Sequence, residues 1–252
     1  MATQFLAAAL VISRLIALKG ALMSADYRGD IPRLAALRTE AKALSGDREL
    51  GYLADYWSGF ASWRIVVNGA SAKMTPEEAK TNLNQAVADF ESSLTKKSDF
   101  ADAYASAAAV HGWLAMYKMS DPDAMKREIE TFKQQINRAL ELQPTNPRVL
   151  WIEAIPYATL PKERGGSTEK AVALYQAMLD NAAPLVPDSP LPDWGRAEAL
   201  MSLAYTQLNQ RSPDLDAAMS NAKAAIRLQP EWHYVKDILI PQIEAKQKEA
   251  QP

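Results

Sequence analysis

The chain of 252 residues lacks cysteine altogether and contains only two histidines, His111 and His233. Without cysteine it cannot form a disulfide, a catalytic thiolate or a zinc site with cysteine ligands. The two histidines lie far apart in the sequence, so they do not form a paired-histidine metal motif. We therefore expect no bound metal and no cofactor.

The sequence also lacks an excess of charge of either sign and a long apolar segment. Its 28 basic and 30 acidic residues give a net charge of -2, which supplies no positive field for a nucleic acid. The apolar stretch from Phe5 to Ile12 is followed by Arg14 and Lys19, whereas a membrane span needs about 20 apolar residues. We expect this stretch to begin an amphipathic helix in a soluble protein. A cytoplasmic location is favoured, and a periplasmic one stays open if a leader has been lost or replaced.

The residues that are present follow a helical period almost throughout, and strictly alternating segments rich in Val, Ile and Thr are missing. This pattern predicts an all-α protein. Breakers and capping residues divide the chain into helices at about 3–25, 31–44, 48–67, 76–96, 99–118, 122–142, 147–159, 167–182, 195–209, 214–228 and 231–248. The clearest starts are Thr75-Pro76 and Asp121-Pro122, where a capping side chain precedes a proline that needs no amide partner.

A short sequence motif recurs where two of these helices end. Residues 139–144 read Ala-Leu-Glu-Leu-Gln-Pro, and residues 225–230 read Ala-Ile-Arg-Leu-Gln-Pro. Self-similarity of this kind is typical of stacked helical repeats. The ends of the second helices align at Ser93, Ala139, Met178 and Ala225, in steps of 46, 39 and 47 residues.

The sequence pattern of these repeats resembles that of the tetratricopeptide family. The family pattern is matched in the last full unit and in the unit before it by Leu200, Leu203, Ala204, Ala218, Ala225 and Pro230, and by Leu150, Ala154, Gly166, Ala171 and Tyr175. The steps exceed the ~34 residues of a standard unit and overlap the ~40–47 residues of HEAT and armadillo units. We expect the small residues at helix crossings, where a larger side chain would push the helices apart.

The resemblance implies helix hairpins, each pair antiparallel, stacked into a right-handed superhelical solenoid. It implies a single domain over residues 1–252, with about five helix pairs and a closing C-terminal helix, and the clearest repeats at about 75–230. Members of the family bind partners along a concave groove lined by their first helices. By analogy, the groove of this chain is lined by Ser58, Asp102, Ala105, Trp113, Arg148, Trp151, Ile155, Glu198, Met201 and Tyr205.

Three functions follow as hypotheses. The main one is a non-catalytic scaffold that binds a protein or peptide in the groove, through Trp113, Arg148, Trp151, Ile155, Glu198, Met201 and Tyr205. The alternative is a small-molecule carrier or enzyme accessory protein, with Arg148 holding an anion in a pocket lined by convergent polar groups. The third is a structural homo-oligomer, and the oligomeric state is left open.

The sequence offers little support for catalysis. Gly165 and Gly166 precede a helix, but they lack the longer glycine frame of a nucleotide loop and follow no strand. We expect Ser167 or Thr168 to cap that helix. No Gly-x-Ser-x-Gly motif is present, and His111 is expected to be a hydrogen-bonded packing residue. The chain is therefore not expected to be an enzyme.

Overall fold

The computed structural model describes residues 2–70, 74–182 and 184–250, and these ranges are helical without a strand. The helices are α1 (Ala2–Arg28), α2 (Ile31–Lys42), α3 (Gly51–Gly69), α4 (Pro76–Lys96), α5 (Ala101–Tyr117), α6 (Pro122–Leu142), α7 (Pro147–Thr159), α8 (Thr168–Asn181), α9 (Arg196–Asn209), α10 (Leu215–Leu228) and α11 (Ile240–Glu249). A short 3₁₀ turn covers Lys162–Arg164, and a π-helix covers Tyr234–Leu239. The all-α prediction is confirmed. The predicted domain limits, residues 1 and 252, lie outside the described residues, as do residues 71–73 and 183.

The helix starts that the sequence marked most clearly are confirmed by their caps. The Thr75 hydroxyl accepts a hydrogen bond from the amide of Glu78 at 3.3 Å, and the Glu78 carboxylate accepts one from the amide of Thr75 at 2.9 Å. The Asp121 carboxylate accepts a hydrogen bond from the amide of Ala124 at 3.0 Å. Both caps satisfy amide groups that the first turn of a helix leaves without partners.

The closing helix differs from the prediction. The sequence predicts one α-helix over about 231–248, whereas the structure begins this segment with the π-helix and continues into α11 at Ile240. Pro241 explains the change, because it has no amide hydrogen and would clash with the carbonyl of Asp237 in a regular α-turn. In the wider turn, the amide of Ile240 bonds to the carbonyl of Val235, five residues before it.

The chain divides into two compact units. The first comprises residues 1–26, 30–142 and 186–192, and the second comprises residues 27–29, 143–185 and 193–252. Each unit has its own buried core, so the two are described separately.

The first unit is built around α3. Helices α2 to α6 each pack against the next one, and α3 is buried on nearly all of its faces. Such a helix is mostly apolar, because almost none of its faces meets water. Its aromatic side chains pack edge-on against one another and against Phe100 in the turn before α5, and at a tilt against Phe90 of α4; the rings are Tyr56, Trp57, Phe60, Trp63, Phe90 and Phe100. The segment 186–192 belongs to this unit, and the Trp57 indole donates a hydrogen bond to the carbonyl of Pro190 at 2.9 Å.

Two buried carboxylates tie three helices of the first unit together. Asp55 on α3 and Asp89 on α4 have no exposed side-chain surface. The Lys96 ammonium lies 2.5 Å from the Asp55 carboxylate, and the Lys42 ammonium on α2 lies 2.5 Å from that of Asp89. Asp89 also accepts a hydrogen bond from the Ser58 hydroxyl at 2.6 Å. Removing one partner of such a pair would leave a buried charge, so these residues specify how the three helices meet.

In the second unit, α7 to α10 each pack against the next helix in order, and α7 also contacts α9. The small residues follow the repeat pattern: Ala154, Ala171, Ala204, Ala218 and Ala225 are fully buried. Gly166 forms the turn between α7 and α8, where a β-carbon would lie 1.8 Å from the carbonyl oxygen of Leu160. Only glycine fits there.

Candidate functional site

Six of the seven residues predicted to bind a partner lie in the second unit. They are carried by α7 and α9, which contact each other: Arg148, Trp151, Ile155, Glu198, Met201 and Tyr205. The seventh, Trp113, is a half-buried residue of α5 in the first unit. The structure therefore concentrates six of the seven candidates on two neighbouring helices.

Trp151 is buried, although the groove interpretation expected it to be partly exposed. Only 8% of its surface is accessible, its indole donates a hydrogen bond to the Ser202 hydroxyl at 2.8 Å, and its ring meets that of Trp194 edge-on at 5.4 Å. The expectation of partial exposure is therefore wrong. The physical reason is that the segment before α9 brings Trp194 over this side of α7, where a groove was expected.

Arg148 belongs to the same contact. Its guanidinium donates a hydrogen bond to the backbone carbonyl of Trp194 at 3.3 Å. A planar guanidinium carries five donors, so one of them can hold this carbonyl and the side chain still reaches water. Arg148 thus fixes the approach to α9.

Glu198 lies in the first turn of α9 and is only 6% exposed. One oxygen of its carboxylate accepts a hydrogen bond from the Tyr27 hydroxyl at 2.5 Å, and the other accepts one from the amide of Gly195 at 2.8 Å. The second bond satisfies an amide that precedes the first turn, and the positive end of the helix favours a negative charge at this position. The Glu198 carboxyl group is therefore held in a buried, well-defined position.

The remaining candidates keep some accessible surface. Tyr205 is 37% exposed, and Ile155 and Met201 are half-buried. Together with the half-buried Arg148, these side chains are the part of the predicted groove surface in this unit that a large partner could still contact.

A cavity of about 330 Å³ lies in the second unit at the start of α9. Its wall is formed by the end of α8, the segment after it, the first turn of α9, the end of α10 and one residue of α1: Tyr27, Ala182, Pro184, Leu185, Trp194, Gly195, Arg196, Ala197, Glu198, Leu228 and Gln229. Most of these side chains are apolar, and the polar ones are Tyr27, Glu198, Arg196 and Gln229. Leu185 and Leu228 are 57% and 44% exposed, so the mouth of the cavity has an apolar rim.

Two tyrosines of this unit, Tyr175 on α8 and Tyr234 in the π-helix, are neutral at physiological pH. Burial outweighs a hydrogen bond with Ser202 and raises the pKa of Tyr175 to about 12. Burial, followed by the neighbouring phenol of Tyr205, raises the pKa of Tyr234 to about 12. These phenols offer hydrogen bonds and ring surface to their surroundings, but no charge.

The remaining sequence motifs, around His111 and Ser167, have structural roles. His111 Nδ1 lies 2.6 Å from the Glu128 carboxylate, which also binds the Lys118 ammonium, as expected for a hydrogen-bonded packing residue. Burial is the largest influence on Glu128 and favours its neutral form, but the hydrogen bonds from His111 and Lys118 together lower its pKa. The Ser167 hydroxyl caps α8 by accepting a hydrogen bond from the amide of Lys170 at 3.2 Å.

Within the described ranges, no group of three or more His, Asp or Glu side chains is placed to hold a metal ion. In the same part of the chain, no helix combines the length and apolar character needed to cross a bilayer.

The sequence pattern gave no indication of the residues that close the cavity. It assigned no role to Trp194 or to Tyr27. Tyr27 and Glu198 are 171 residues apart in the sequence and meet only in the folded chain. One local signal was available for α9: Glu198 follows Gly195 by three residues, which is the spacing of a capping interaction at a helix start.

The fold and the site define an all-helical protein, in the part the structure describes, with consecutively packed helices and a small, mainly apolar cavity in one of its two units. No family model and no curated protein matches the sequence. Among solved structures, the chain is similar to the HusA haemophore from Porphyromonas gingivalis, with 21% sequence identity and a TM-score of 0.49. The match covers 82% of this chain and 96% of that one.

Proposed function

We propose that this chain is a non-catalytic binding protein whose second unit holds a small, largely apolar molecule in the cavity at the start of α9. The observation that carries the proposal is the cavity itself, about 330 Å³ in volume, with aromatic and aliphatic walls and a buried carboxylate. Ligand sites in proteins are concave, mostly apolar, and contain a few polar groups that orient the ligand; their volumes start at about 300 Å³. This combination favours a carrier or ligand-binding module over a scaffold with an open groove.

The wall of the cavity is fixed before any ligand arrives. Gly195 adopts a φ of +144°, and a β-carbon there would lie 3.0 Å from the side chain of Pro147. Glu198 holds the amide of Gly195, and Arg148 holds the carbonyl of Trp194. A preformed site loses little conformational freedom on binding, so more of the contact energy contributes to affinity.

The proposal is tested with Nile red, a neutral dye whose emission rises and shifts to the blue in apolar surroundings. We expect the purified protein to bind the dye saturably. Ala182→Phe places a ring in the wall of the cavity and should weaken binding at least about tenfold, which corresponds to ~1.4 kcal/mol. Ala177→Phe is the matched control, because Ala177, in the last turns of α8, is half-buried like Ala182, the residue after that helix, but does not line the cavity.

Two outcomes would contradict the proposal. One is the absence of saturable dye binding to the folded wild-type protein. The other is an equal loss of binding in both alanine variants, since this would place the dye elsewhere or report a general change in folding. Circular dichroism spectra of the two variants keep these outcomes separate.

A second candidate function, binding of a peptide or protein on the α7–α9 surface, is favoured by one observation. Tyr205 is a large aromatic side chain with more than a third of its surface exposed, next to the half-buried Met201. Aromatic anchors of this kind are frequent among the residues that dominate protein interfaces. Peptides selected from a random display library against the wild-type protein should lose binding to Tyr205→Ala but retain it with Tyr104→Ala, a half-buried tyrosine of α5.

We also infer that α7 to α10 form two tetratricopeptide-like repeats. The support is the burial of the small residues that match the family pattern, Ala154, Ala171, Ala204, Ala218 and Ala225, together with the turn glycine Gly166. On this interpretation, the repeats provide a rigid frame, and the cavity lies where the chain enters the second repeat. The right-handed superhelix stays a prediction of the resemblance.

A further inference from the structure

We propose that three methionines around the turn between α5 and α6, Met116, Met119 and Met125, bind a soft monovalent metal ion, Cu(I). This site goes beyond the proposed function, because the turn belongs to the first unit and does not line the cavity. The expectation of no bound metal rests on the cysteine and histidine content of the chain, and thioether ligands lie outside it.

The methionines of the chain are concentrated at this turn and exposed there. Three of the nine lie within residues 116–125. Met116 is 57% exposed, Met119 is 68% exposed, and Met125 is half-buried. The other methionines that the structure describes are all buried or half-buried. A single exposed apolar side chain is ordinary, but packing does not account for two exposed methionines beside a third.

The backbone makes Met116 and Met119 neighbours. Met116 lies in the last turn of α5, and the chain continues to turn after it. The amide of Lys118 bonds to the carbonyl of Ala115 at 3.2 Å, and the amide of Asp121 bonds back to Lys118 at 2.9 Å. Residues three apart in a helical turn lie side by side on its surface. Because a methionine side chain has three rotatable bonds, two such neighbours can direct their sulfur atoms at one ion.

Met125 comes from the other end of the turn, near the start of α6. Glu128, one helical turn after it, faces α5, because its carboxylate lies 2.6 Å from Nδ1 of His111. Residues three apart share one face of a helix, so Met125 is also on the side of α6 that packs against α5. The third thioether is therefore carried on the same side of the hairpin as the turn's contact with α5.

The chemistry of the thioether selects the ion. Among the metals of the first transition row, soft sulfur ligands favour Cu(I), whereas carboxylates and water suit Mg²⁺, Ca²⁺ and Mn²⁺. The chain has no cysteine, so methionines supply its only sulfur ligands. Trp113 lies one turn before Met116 and is half-buried. The face of an aromatic ring attracts a cation, so this indole favours the same ligand.

One positive charge lies close to the methionines. Lys118 stands between Met116 and Met119 in the sequence, and its ammonium would repel a metal ion. That ammonium is paired with the carboxylate of Glu128, which offsets its charge. The competing interpretation of the exposed methionines is an apolar contact surface for another protein, and it predicts no uptake of Cu(I).

The experiment titrates the full chain with Cu(I), supplied anaerobically as its acetonitrile complex, and follows binding by calorimetry at pH 7. We expect the protein to take up a single Cu(I) ion. Excess Zn(II) should not displace it, because zinc is bound by thiolate, imidazole and carboxylate groups. Ag(I) serves as a redox-stable probe of the same site. In protein labelled with carbon-13 at the methionine methyl groups, Ag(I) should shift the signals of Met116, Met119 and Met125.

Variants assign the site to these side chains. Met116→Leu and Met119→Leu, combined in one protein, should weaken Cu(I) binding at least about tenfold, since leucine keeps the volume and lacks the sulfur. Met219→Leu is the matched control, because it makes the same change at a half-buried methionine of α10. It should retain the affinity of the wild-type protein. Circular dichroism spectra check that both proteins fold.

Several outcomes would overturn the site. The folded wild-type protein might take up no Cu(I), or the control might lose as much affinity as the double variant, which would mean that thioethers bind the ion indiscriminately. Displacement by Zn(II) would place the ion on His111 and Glu128 instead. Nile red binding should be unchanged in the double variant. A failure of the Cu(I) site therefore leaves the proposed function intact, and a failure of dye binding leaves the Cu(I) site intact.

Discussion

Burial at single residues decides which of the predicted contact residues could meet a partner. Trp151 and Glu198 were both assigned to a groove because of their positions on first helices, but each has a partner within the second unit. Trp151 bonds to Ser202 on the contacting helix α9, and Glu198 bonds to Tyr27 near the end of α1. Helical geometry fixes the direction of a side chain from its own helix, but it does not indicate which other segment will cover it.

Trp151→Ala is expected to destabilise the protein by ~3–5 kcal/mol, the usual cost of emptying a large buried aromatic site. Trp151→Phe keeps a ring against Trp194 but removes the indole donor to Ser202 and the volume of the second ring, so it should cost less than Trp151→Ala, on the order of 1–3 kcal/mol. Urea unfolding of the three proteins measures both differences. If Trp151→Ala lowers the free energy of unfolding by less than ~1 kcal/mol, this side chain faces solvent, as the groove hypothesis predicts.

The candidate site could be predicted from the sequence only in part. The pattern of first helices identified Glu198, which does line the cavity, but it gave no indication of Tyr27 or Trp194. Tyr27 precedes Gly29, whose φ of +69° ends α1 and lets the amide of Asp30 bond back to the carbonyl of Ala25. The sequence contained this helix stop, but not the contact between Tyr27 and a residue 171 positions later.

At the scale of helices, prediction succeeded because breakers act locally. Helix α7 was expected at 147–159 and has those bounds, since Leu160 precedes Pro161 and takes up an extended conformation. The conformation of the closing segment was harder to predict, because Pro241 is compatible with either a break in the helix or a widened helical turn. The structure has the widened turn, a π-helix over Tyr234–Leu239.

The recurring sequence motif leads to a packing prediction for two helices. Ala139 on α6 and Ala225 on α10 occupy the same position in the motif, and both are fully buried. Ala139→Leu and Ala225→Leu should each destabilise the protein by ~1–3 kcal/mol through overpacking. Ala224→Leu, at the neighbouring half-buried position of α10, should change stability by less than ~0.5 kcal/mol. Thermal melts of the three variants check this, and neutral results at both buried alanines would mean that the repeat register is wrong.

At the scale of the whole molecule, the path of the chain bears on the predicted single domain. The chain passes from one compact unit to the other at five points, after residues 26, 29, 142, 185 and 192. Domain boundaries usually lie in an exposed linker, and few contacts are made across such a boundary. Helix α1 is continuous through Asp26 and Tyr27, so one helix contributes to both units. Neither unit is therefore an uninterrupted stretch of sequence that could fold before the rest is made.

We expect this connectivity to make unfolding cooperative over the whole chain. The test uses the two alanine variants, because Ala139 belongs to the first unit and Ala225 to the second. In urea, circular dichroism and tryptophan fluorescence should report one coincident transition, and each variant should shift it as a whole. Hydrogen exchange then follows α4 in the first unit and α8 in the second. If Ala225→Leu accelerates exchange in α8 and leaves α4 unchanged, the units unfold separately and the prediction of a single domain is wrong. Equal acceleration in both helices would show that the chain unfolds as one cooperative domain.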